Sequence, residues 1–316
     1  MIAFGPVPSR RLGRSLGINH VPPKVCTYSC VYCQVGRTTR LRTRRCPFLH
    51  PQAVVDAVTQ KVQAARTAGE SIDYVTFVPD GEPTLDERVG SMIRALRPIG
   101  IPVGVITNAS LLDREDVRRD LAGADWVSVK VDTVDGMRWR QVNRPHGRLQ
   151  LRTILDGVLE FAALFRGRLV TETMLVAGLN DAEAELRSTA AFIGRLNPAR
   201  AYVAVPTRPT AELWVRPPTA ASVTRAYEVF RALAGPVELL VDYEGDSFAA
   251  TGDPRAELLA ITAVHPMREH AVARFLDRAA ATPQLVTELV SQGRLVRVVY
   301  GGHRYLVRPT TPRPAR

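Results

Sequence analysis

The sequence contains few cysteines and almost no lysine. Its 316 residues include 4 cysteines, and only Lys24, Lys61 and Lys130 are lysines, so that 39 of the 42 basic residues are arginine. Four cysteines in a chain of this length are too few for the disulfide framework of a small secreted domain. No run of 18 apolar residues is present to cross a bilayer, and the first residues lack the apolar segment of a signal peptide. We therefore expect a soluble cytoplasmic protein that does not enter a membrane.

The charge balance is basic. The 42 basic and 31 acidic residues give a formal net charge of +11. This excess is typical of proteins that bind an anionic partner such as RNA, but a general bias of composition towards arginine gives the same balance. Because 46% of the residues are hydrophobic, the chain can bury a large core, and its length favours one large domain and one small domain.

Three of the four cysteines lie within eight residues. Cys26, Cys30 and Cys33 are separated by three and two residues, so one loop can present three thiolates to a metal cluster and leave one coordination position open. An iron with an open position can bind a substrate or cofactor directly. The alternative is a closed zinc site completed by Cys46, although zinc ribbons usually pair their cysteines and Cys46 stands alone in an arginine-rich stretch.

Further motifs accompany these cysteines along the chain. They lie at residues 5–18, 80–85 (Asp-Gly-Glu-Pro-Thr-Leu), 107–112 (Thr-Asn-Ala-Ser-Leu-Leu), 143–146 (Asn-Arg-Pro-His) and 173–176 (Thr-Met-Leu-Val). With an aromatic residue, Tyr32, before the last cysteine, this ordered series resembles the radical S-adenosylmethionine (radical SAM) superfamily. It is similar to the branch that includes the tRNA wyosine-base synthases, and the resemblance covers nearly the whole chain.

The resemblance implies a 4Fe-4S cluster on Cys26, Cys30 and Cys33, and S-adenosylmethionine as cofactor. It implies reductive cleavage of that cofactor to methionine and a 5'-deoxyadenosyl radical, with a reductant such as flavodoxin or ferredoxin. Carried over to this sequence, the cofactor contacts are Tyr32, Gly81, Glu82, Thr107, Asn108, Ser128, Val176 and Gly178. The Gly81 backbone would approach the cofactor, Glu82 would receive the methionine ammonium, and Val176 with Gly178 would cover the adenine.

Apolar runs alternate with helical patterns over the first 233 residues. The runs predict strands at residues 16–19, 74–78, 103–106, 126–131, 169–176 and 202–205, and the patterns predict helices at 51–68, 85–96, 113–121, 149–165, 182–195 and 219–233. Six such units predict an α/β fold, a partial (β/α)6 parallel barrel of the radical SAM type, with active residues at the carboxyl ends of the strands. The motifs at residues 80–85 and 107–112 fall at such ends.

The fourth predicted strand has one apolar and one polar face. Three valines alternate with Ser128, Lys130 and Asp132. The valines should pack on helices, so the polar set should line the barrel interior. Lys130 and Asp132 would form a buried charge pair and are the predicted catalytic residues, suited to proton transfer or carbonyl capture, with a purely structural bridge as the alternative.

The pattern changes after the sixth unit. Residues 237–242 predict another strand that completes a barrel domain at 1–245, and residues 246–254 predict a linker. Three helical patterns at 256–263, 268–278 and 283–292 precede two strands, 295–300 and 303–307, around Gly301-Gly302. This predicts a winged-helix-like domain at 255–309, which would contact nucleic acid or protein or simply cover the barrel. We expect residues 310–316 to be disordered.

The substrate is less well defined than the cofactor. Wyosine-base synthases use pyruvate and a tRNA guanine and carry extra cysteines for a second cluster, whereas this chain has only Cys46 to spare. A Schiff base with a pyruvate-type substrate would require Lys130 or, failing that, Lys24. Arg208 or the arginines at 10, 11 and 14 would suit a phosphate or carboxylate, although solvated arginines are equally compatible with the sequence. We expect a small-molecule or RNA substrate.

Two other functions fit part of the pattern. A 4Fe-4S redox sensor that binds nucleic acid through the C-terminal domain explains the cysteines but leaves the motifs at residues 80–85 and 107–112 without a role. A zinc-stabilised nucleic-acid-binding module explains the charge but not the predicted barrel.

Overall fold

The computed structural model describes residues 1–309, and the predicted disordered tail at 310–316 lies outside them. Its strands are β1 (Ala3–Ser9), β2 (Gly13–Ile18), β3 (Val25–Cys26), β4 (Arg40–Leu41), β5 (Tyr74–Phe77), β6 (Val103–Thr107), β7 (Trp126–Lys130), β8 (Arg168–Met174), β9 (Arg200–Ala204), β10 (Val237–Leu240), β11 (Met267–Arg268), β12 (Val296–Tyr300) and β13 (His303–Val307).

The helices alternate with the strands over most of the chain. They are α1 (Pro51–Thr67), α2 (Val89–Leu96), α3 (Glu115–Leu121), α4 (Gly136–Asn143), α5 (Leu151–Leu164), α6 (Glu183–Leu196), α7 (Ala220–Leu233), α8 (Pro254–Val264), α9 (Glu269–Arg278) and α10 (Gln284–Ser291). Within residues 1–309, none of these helices is both long and apolar enough to cross a bilayer.

An eight-stranded sheet forms the body of the molecule, in the order β1-β2-β5-β6-β7-β8-β9-β10. From β2 to β10 every neighbouring pair is parallel, and β1 pairs antiparallel with β2 at one edge. The sheet is therefore an open partial barrel in which β10 adds a seventh parallel strand to the six predicted. The predicted α/β partial barrel is confirmed.

The two faces of β7 divide as the sequence pattern predicts. Val127, Val129 and Val131 are buried in the main core with the helices. Trp126 packs in a separate cluster inside the barrel. Because alternate residues of a strand share a face, Ser128 and Lys130 lie on the interior side with Trp126.

Local differences from the prediction have clear causes. The helix predicted at 85–96 begins only at Val89, because Pro83–Leu85 forms a 3₁₀ turn capped by the Glu82 side chain. Helix α1 begins as predicted at Pro51, where the ring suits the first helical turn and His50 Nδ1 accepts the Gln52 N–H at 3.3 Å. Strand β1 and helix α4 were not predicted.

The C-terminal elements have the predicted order of three helices and a hairpin. Strands β12 and β13 pair around Gly301-Gly302, and the short β11 extends them to a three-stranded sheet. Phe4 and Val7 of β1 belong to the same buried cluster as residues of α8, α9 and α10. These elements thus share a core with the edge of the barrel. Their interpretation as a winged helix, and the domain boundaries, remain predictions.

Candidate functional site

The three clustered cysteines are half-buried. Cys26 ends β3, and Cys30 and Cys33 lie in the segment that follows, so that residues 25–33 form the cysteine loop. Burial raises the pKa of Cys26 to about 12, and burial likewise raises the pKa of Cys30. Thiolates in this loop therefore require nearby positive charge or hydrogen-bond donors.

Each of the three sulfur atoms has a different nitrogen donor beside it. Two donors are side-chain amides from the ends of β6 and α4, and the third is a buried lysine just before the loop. The pairs are Asn108 Nδ2 to Cys26 Sγ at 3.5 Å, Asn143 Nδ2 to Cys30 Sγ at 3.5 Å, and Lys24 Nζ to Cys33 Sγ at 3.7 Å.

The motif after β5 holds one side of the cysteine loop by its backbone. The Lys24 N–H donates to Asp80 O at 3.0 Å, and the Glu82 N–H donates to Val25 O at 3.2 Å. A Cβ atom on Gly81 would lie 2.0 Å from Val25 O, so only glycine allows this approach. Gly81 thus makes a close backbone contact with the cysteine loop, and its predicted approach to the cofactor remains a prediction.

The motif at residues 143–146 holds the other side. Four backbone hydrogen bonds join it and the preceding residue to the loop: Ser29 N–H to Asn143 O at 3.0 Å and to Arg144 O at 3.1 Å, Val31 N–H to Val142 O at 2.9 Å, and His146 N–H to Thr27 O at 2.9 Å. Sequence reasoning gave these residues no such role, and only their position at the C-terminal end of a helix could have suggested it.

Glu82 is buried, and its carboxylate is fully engaged within the protein. Oε1 accepts from the Thr107 hydroxyl at 2.6 Å and from the Thr84 hydroxyl and N–H at 2.6 and 3.1 Å, and Oε2 accepts from the Asn108 N–H at 2.8 Å. Burial raises the pKa of Glu82, and these hydrogen bonds oppose that rise. Glu82 therefore ties the end of β5 to the end of β6, and its predicted contact with an ammonium group remains a prediction.

Lys130 pairs with Glu172 rather than with Asp132. The distance from Lys130 Nζ to Glu172 Oε1 is 2.5 Å, and Arg11 contacts the second oxygen of the same carboxylate. β7 and β8 are in register at Lys130 and Glu172, so the carboxylate in contact with Lys130 is Glu172, while Asp132 acts on Lys130 through its charge. The catalytic roles of Lys130 and Asp132 remain predictions. Burial lowers the pKa of Lys130. Glu172 lies in no recognisable motif, so only the strand register reveals it.

The Asp132 carboxylate forms hydrogen bonds with the cysteine loop and with residues near it. Its Oδ2 accepts hydrogen bonds from the Tyr32 hydroxyl and, at 2.6 Å, from Asn143 Nδ2. Its Oδ1 accepts the Met174 N–H at 2.8 Å. Asp132 thus connects the residue before the last cysteine, the donor to Cys30 and the end of β8.

The remaining predicted cofactor contacts differ in their surroundings. Ser128 is fully buried, and its hydroxyl has no hydrogen-bond partner within residues 1–309. Val176 and Gly178 lie beyond the end of β8 in a turn, not on the strand as predicted. The Val176 N–H donates to Asn180 and the exposed Gly178 N–H to Asp181, both at 2.8 Å, so neither amide is free.

The donor set fits a cluster better than a single ion. In the described part of the chain, no three His, Cys, Asp or Glu side chains converge at single-ion distance. Cys46, the fourth cysteine, forms a backbone bridge with Asp86. Three spaced thiols, each beside an N–H donor, match the ligands and sulfur hydrogen bonds of an iron-sulfur cluster.

Comparison with known proteins decides the family. The family model described as the radical SAM superfamily matches residues 21–190. This chain belongs to the radical SAM superfamily. A UPF0026 protein of Methanocaldococcus jannaschii is 42% identical over 303 residues, which cover 95% of this chain and 94% of that protein. The superfamily predicted from the motifs is thereby confirmed.

A solved structure of a radical SAM enzyme has a similar fold. A radical SAM methyltransferase from Sphaerobacter thermophilus aligns with a TM-score of 0.55 and 19% identity over 72% of this chain and 66% of that one. A structure of TYW1 with a lysine-pyruvate adduct aligns with a TM-score of 0.48 and 14% identity over 69% of this chain and 73% of that one. The first likeness concerns the fold alone.

Proposed function

We propose that this radical SAM protein cleaves S-adenosylmethionine reductively and removes a hydrogen atom from a small-molecule or RNA substrate. The observation that carries the proposal is the convergence of three strand-end and helix-end motifs on one cysteine loop, at the carboxyl edge of a parallel barrel. Membership of the superfamily implies a reductant and a substrate.

Cys26, Cys30 and Cys33 would hold the 4Fe-4S cluster. When bound, the cluster supplies the electron that splits S-adenosylmethionine into methionine and a 5'-deoxyadenosyl radical. The protein keeps the loop rigid through the backbone bonds at residues 80–82 and 142–146, and it places N–H donors against the sulfur atoms. Both contributions favour negatively charged sulfur in a partly buried loop.

The cofactor would lie over the ends of β5 to β8. Gly81, Thr107, Asn108 and Ser128 would meet it there, and the Ser128 hydroxyl, which has no partner within residues 1–309, would serve as a donor. Tyr32 and Val176 belong to one apolar cluster beside Cys30, which suits the aromatic face of an adenine. Glu82 and Gly178 complete the proposed set of contacts. The Glu82 carboxylate and the Gly178 N–H already form hydrogen bonds within the protein.

Lys130 would move a proton to or from the substrate. Burial lowers the pKa of Lys130, which eases exchange of its proton with a substrate, and the Glu172 carboxylate would hold the amine in place. Asp132 would act by positioning Tyr32 and Asn143, not through a pair with Lys130.

Anaerobic reconstitution with iron and sulfide, followed by dithionite and S-adenosylmethionine, tests the function. We expect the wild type and Cys46→Ala to release 5'-deoxyadenosine. Cys30→Ala should neither bind iron nor release 5'-deoxyadenosine. If dithionite reduces the cluster but S-adenosylmethionine is not cleaved, the result favours a redox sensor. If the protein binds stoichiometric zinc and no iron, the result favours a zinc-stabilised module. Either result overturns the proposal.

A further inference from the structure

A charged chamber opens at the carboxyl edge of the barrel, next to the cysteine loop. It has a volume of about 220 Å³ and is bordered by Cys33. The ends of β7 to β10 form one side, and the turn between β1 and β2 forms the other. Its charged lining consists of Arg10, Arg11, Lys130, Glu172, Arg208 and Glu244.

The lining is built from two groups, each with one carboxylate between two cations. Glu172 contacts Lys130 and Arg11. Glu244 contacts Arg208 and, at 3.5 Å, Arg10 Nε. Four cations therefore face two carboxylates, so the lining itself carries an excess of two positive charges. The charges of Asp242 and Asp132, outside the lining, act on Arg10 and Lys130.

Glu244 stays ionised in this setting. Burial by itself would raise its pKa, but the charges of Arg208, His265, Arg11 and Arg10 lower it to about 2. The carboxylate can therefore neutralise only one of its two arginine neighbours, and the excess positive charge persists at neutral pH.

Several guanidinium donors remain unused. Arg10 Nη1 and Arg208 Nε are buried and have no hydrogen-bond partner within residues 1–309. The Arg208 side chain is only 10% exposed. Its other nitrogens are fixed, because Nη1 donates to Gln34 at 2.8 Å and Nη2 contacts Glu244. Gln34, the residue after Cys33, also donates to Val264 O at 2.7 Å, so the C-terminal part of the chain helps to hold Arg208 in place.

We propose that this chamber binds the substrate through a phosphate or carboxylate group held between Arg10 and Arg208. The inference rests on the proposed function, since it names the substrate class for the same site. Each of the two guanidinium groups has an unused N–H that can donate a charge-assisted hydrogen bond to such an oxyanion, and the ligand would compensate the excess charge. The anchor would place the remainder of the substrate beside Cys33.

Calorimetric titration of the reconstituted, oxidised protein tests the chamber without turnover. Inorganic phosphate and succinate are titrated separately in the presence of saturating S-adenosylmethionine, and the probe that binds distinguishes a phosphate from a carboxylate source. We expect Arg10→Gln and Arg208→Gln to weaken binding about tenfold or more, because each removes charge-assisted hydrogen bonds. Glu244→Gln should tighten it, and Arg231→Gln, on the exposed side of α7, should leave it unchanged.

The opposite signs expected for Arg208→Gln and Glu244→Gln separate anion binding from loss of folding. Failure of both anions to bind, binding that ignores Arg10 and Arg208, or binding abolished by S-adenosylmethionine would each overturn the substrate anchor. The last result would assign the arginines to the carboxylate of the cofactor. Release of 5'-deoxyadenosine is measured separately, so the anchor and the proposed function can fail independently.

Discussion

The Nδ2 atom of Asn143 lies 3.5 Å from the Sγ atom of Cys30. Hydrogen bonds to cluster sulfurs raise the reduction potential because they stabilise the added negative charge. We expect Asn143→Ala to lower the midpoint potential of the reconstituted cluster by tens of mV. A redox titration followed by electron paramagnetic resonance measures the shift.

Gln141→Ala is the matched control for that variant, since Gln141 is exposed on the same helix. It should keep the wild-type potential. An unchanged potential in Asn143→Ala at full iron content would show that this amide does not act on the cluster.

Gly81→Ala should disrupt the cysteine loop. The new Cβ would lie 2.0 Å from Val25 O, and backbone on both sides must shift to relieve the overlap. Overpacking of this kind costs about 1–3 kcal/mol, and here it acts directly on the segment that carries Cys26. We expect fewer iron atoms per chain after reconstitution. Gly136→Ala, where no atom lies within 4 Å of the added methyl group, should load normally; equal iron content in both would contradict the packing argument.

The buried pair of Lys61 and Glu257 joins α1 to α8. The Glu257 side chain is 1% exposed, and Lys61 Nζ contacts its Oε1. Lys61→Met would leave this buried carboxylate without its cation. The substitution should lower the free energy of unfolding by about 3–5 kcal/mol. Urea unfolding measures the loss. Lys61→Met combined with Glu257→Met removes both charges and should recover most of it, whereas an additive loss in the double variant would argue against a coupled pair.

His20 should make stability depend on pH. It is buried against Phe77, with ring centroids 5.0 Å apart, and its Nε2 lies 3.3 Å from Pro83 O. Burial lowers the pKa of His20 to about 4 from an ordinary value of 6.5. Between these values the unfolded chain binds a proton that the folded chain does not. His20 therefore lowers the free energy of unfolding by about 1.4 kcal/mol per pH unit as the pH falls from 6.5 to 4.

Urea unfolding of the wild type and His20→Gln across that range isolates the effect from other groups. His265, whose pKa burial lowers to about 3, contributes equally to both proteins. In the variant, the free energy of unfolding should depend less steeply on pH, by the amount that corresponds to the uptake of about one proton on unfolding. Parallel curves would show that His20 does not titrate as its burial indicates.

The barrel could be predicted from the sequence because each parallel strand is a short apolar run followed by a helical pattern. Strand β1 could not, since Pro6 and Pro8 interrupt it; prolines are tolerated there because β1 is an edge strand paired on one side only. Helix α4 was missed because Arg138, Arg140 and Gln141 leave it little apolar periodicity.

The candidate site was predictable only where motifs mark it. The cysteine spacing and the strand-end position of Gly81 and Glu82 are visible in the sequence. The partner of Lys130 is not, because it depends on the register of β7 with β8, which sets Glu172 beside it and Asp132 apart. The sequence indicates Arg10, Arg11 and Arg208 as candidates for binding a phosphate or carboxylate. It does not show that they line one chamber, because their contacts join residues more than 200 positions apart, such as Arg10 and Glu244.

The hydrogen bonds that hold the cysteine loop come from distant parts of the chain, at residues 80–82, 108–110, 142–146 and 212. In the last of these, the Glu212 N–H donates to Val31 O at 3.1 Å. During translation the three thiols leave the ribosome long before these segments exist, and they remain unprotected until the barrel is nearly complete. We therefore expect insertion of the proposed cluster to follow synthesis of most of the polypeptide.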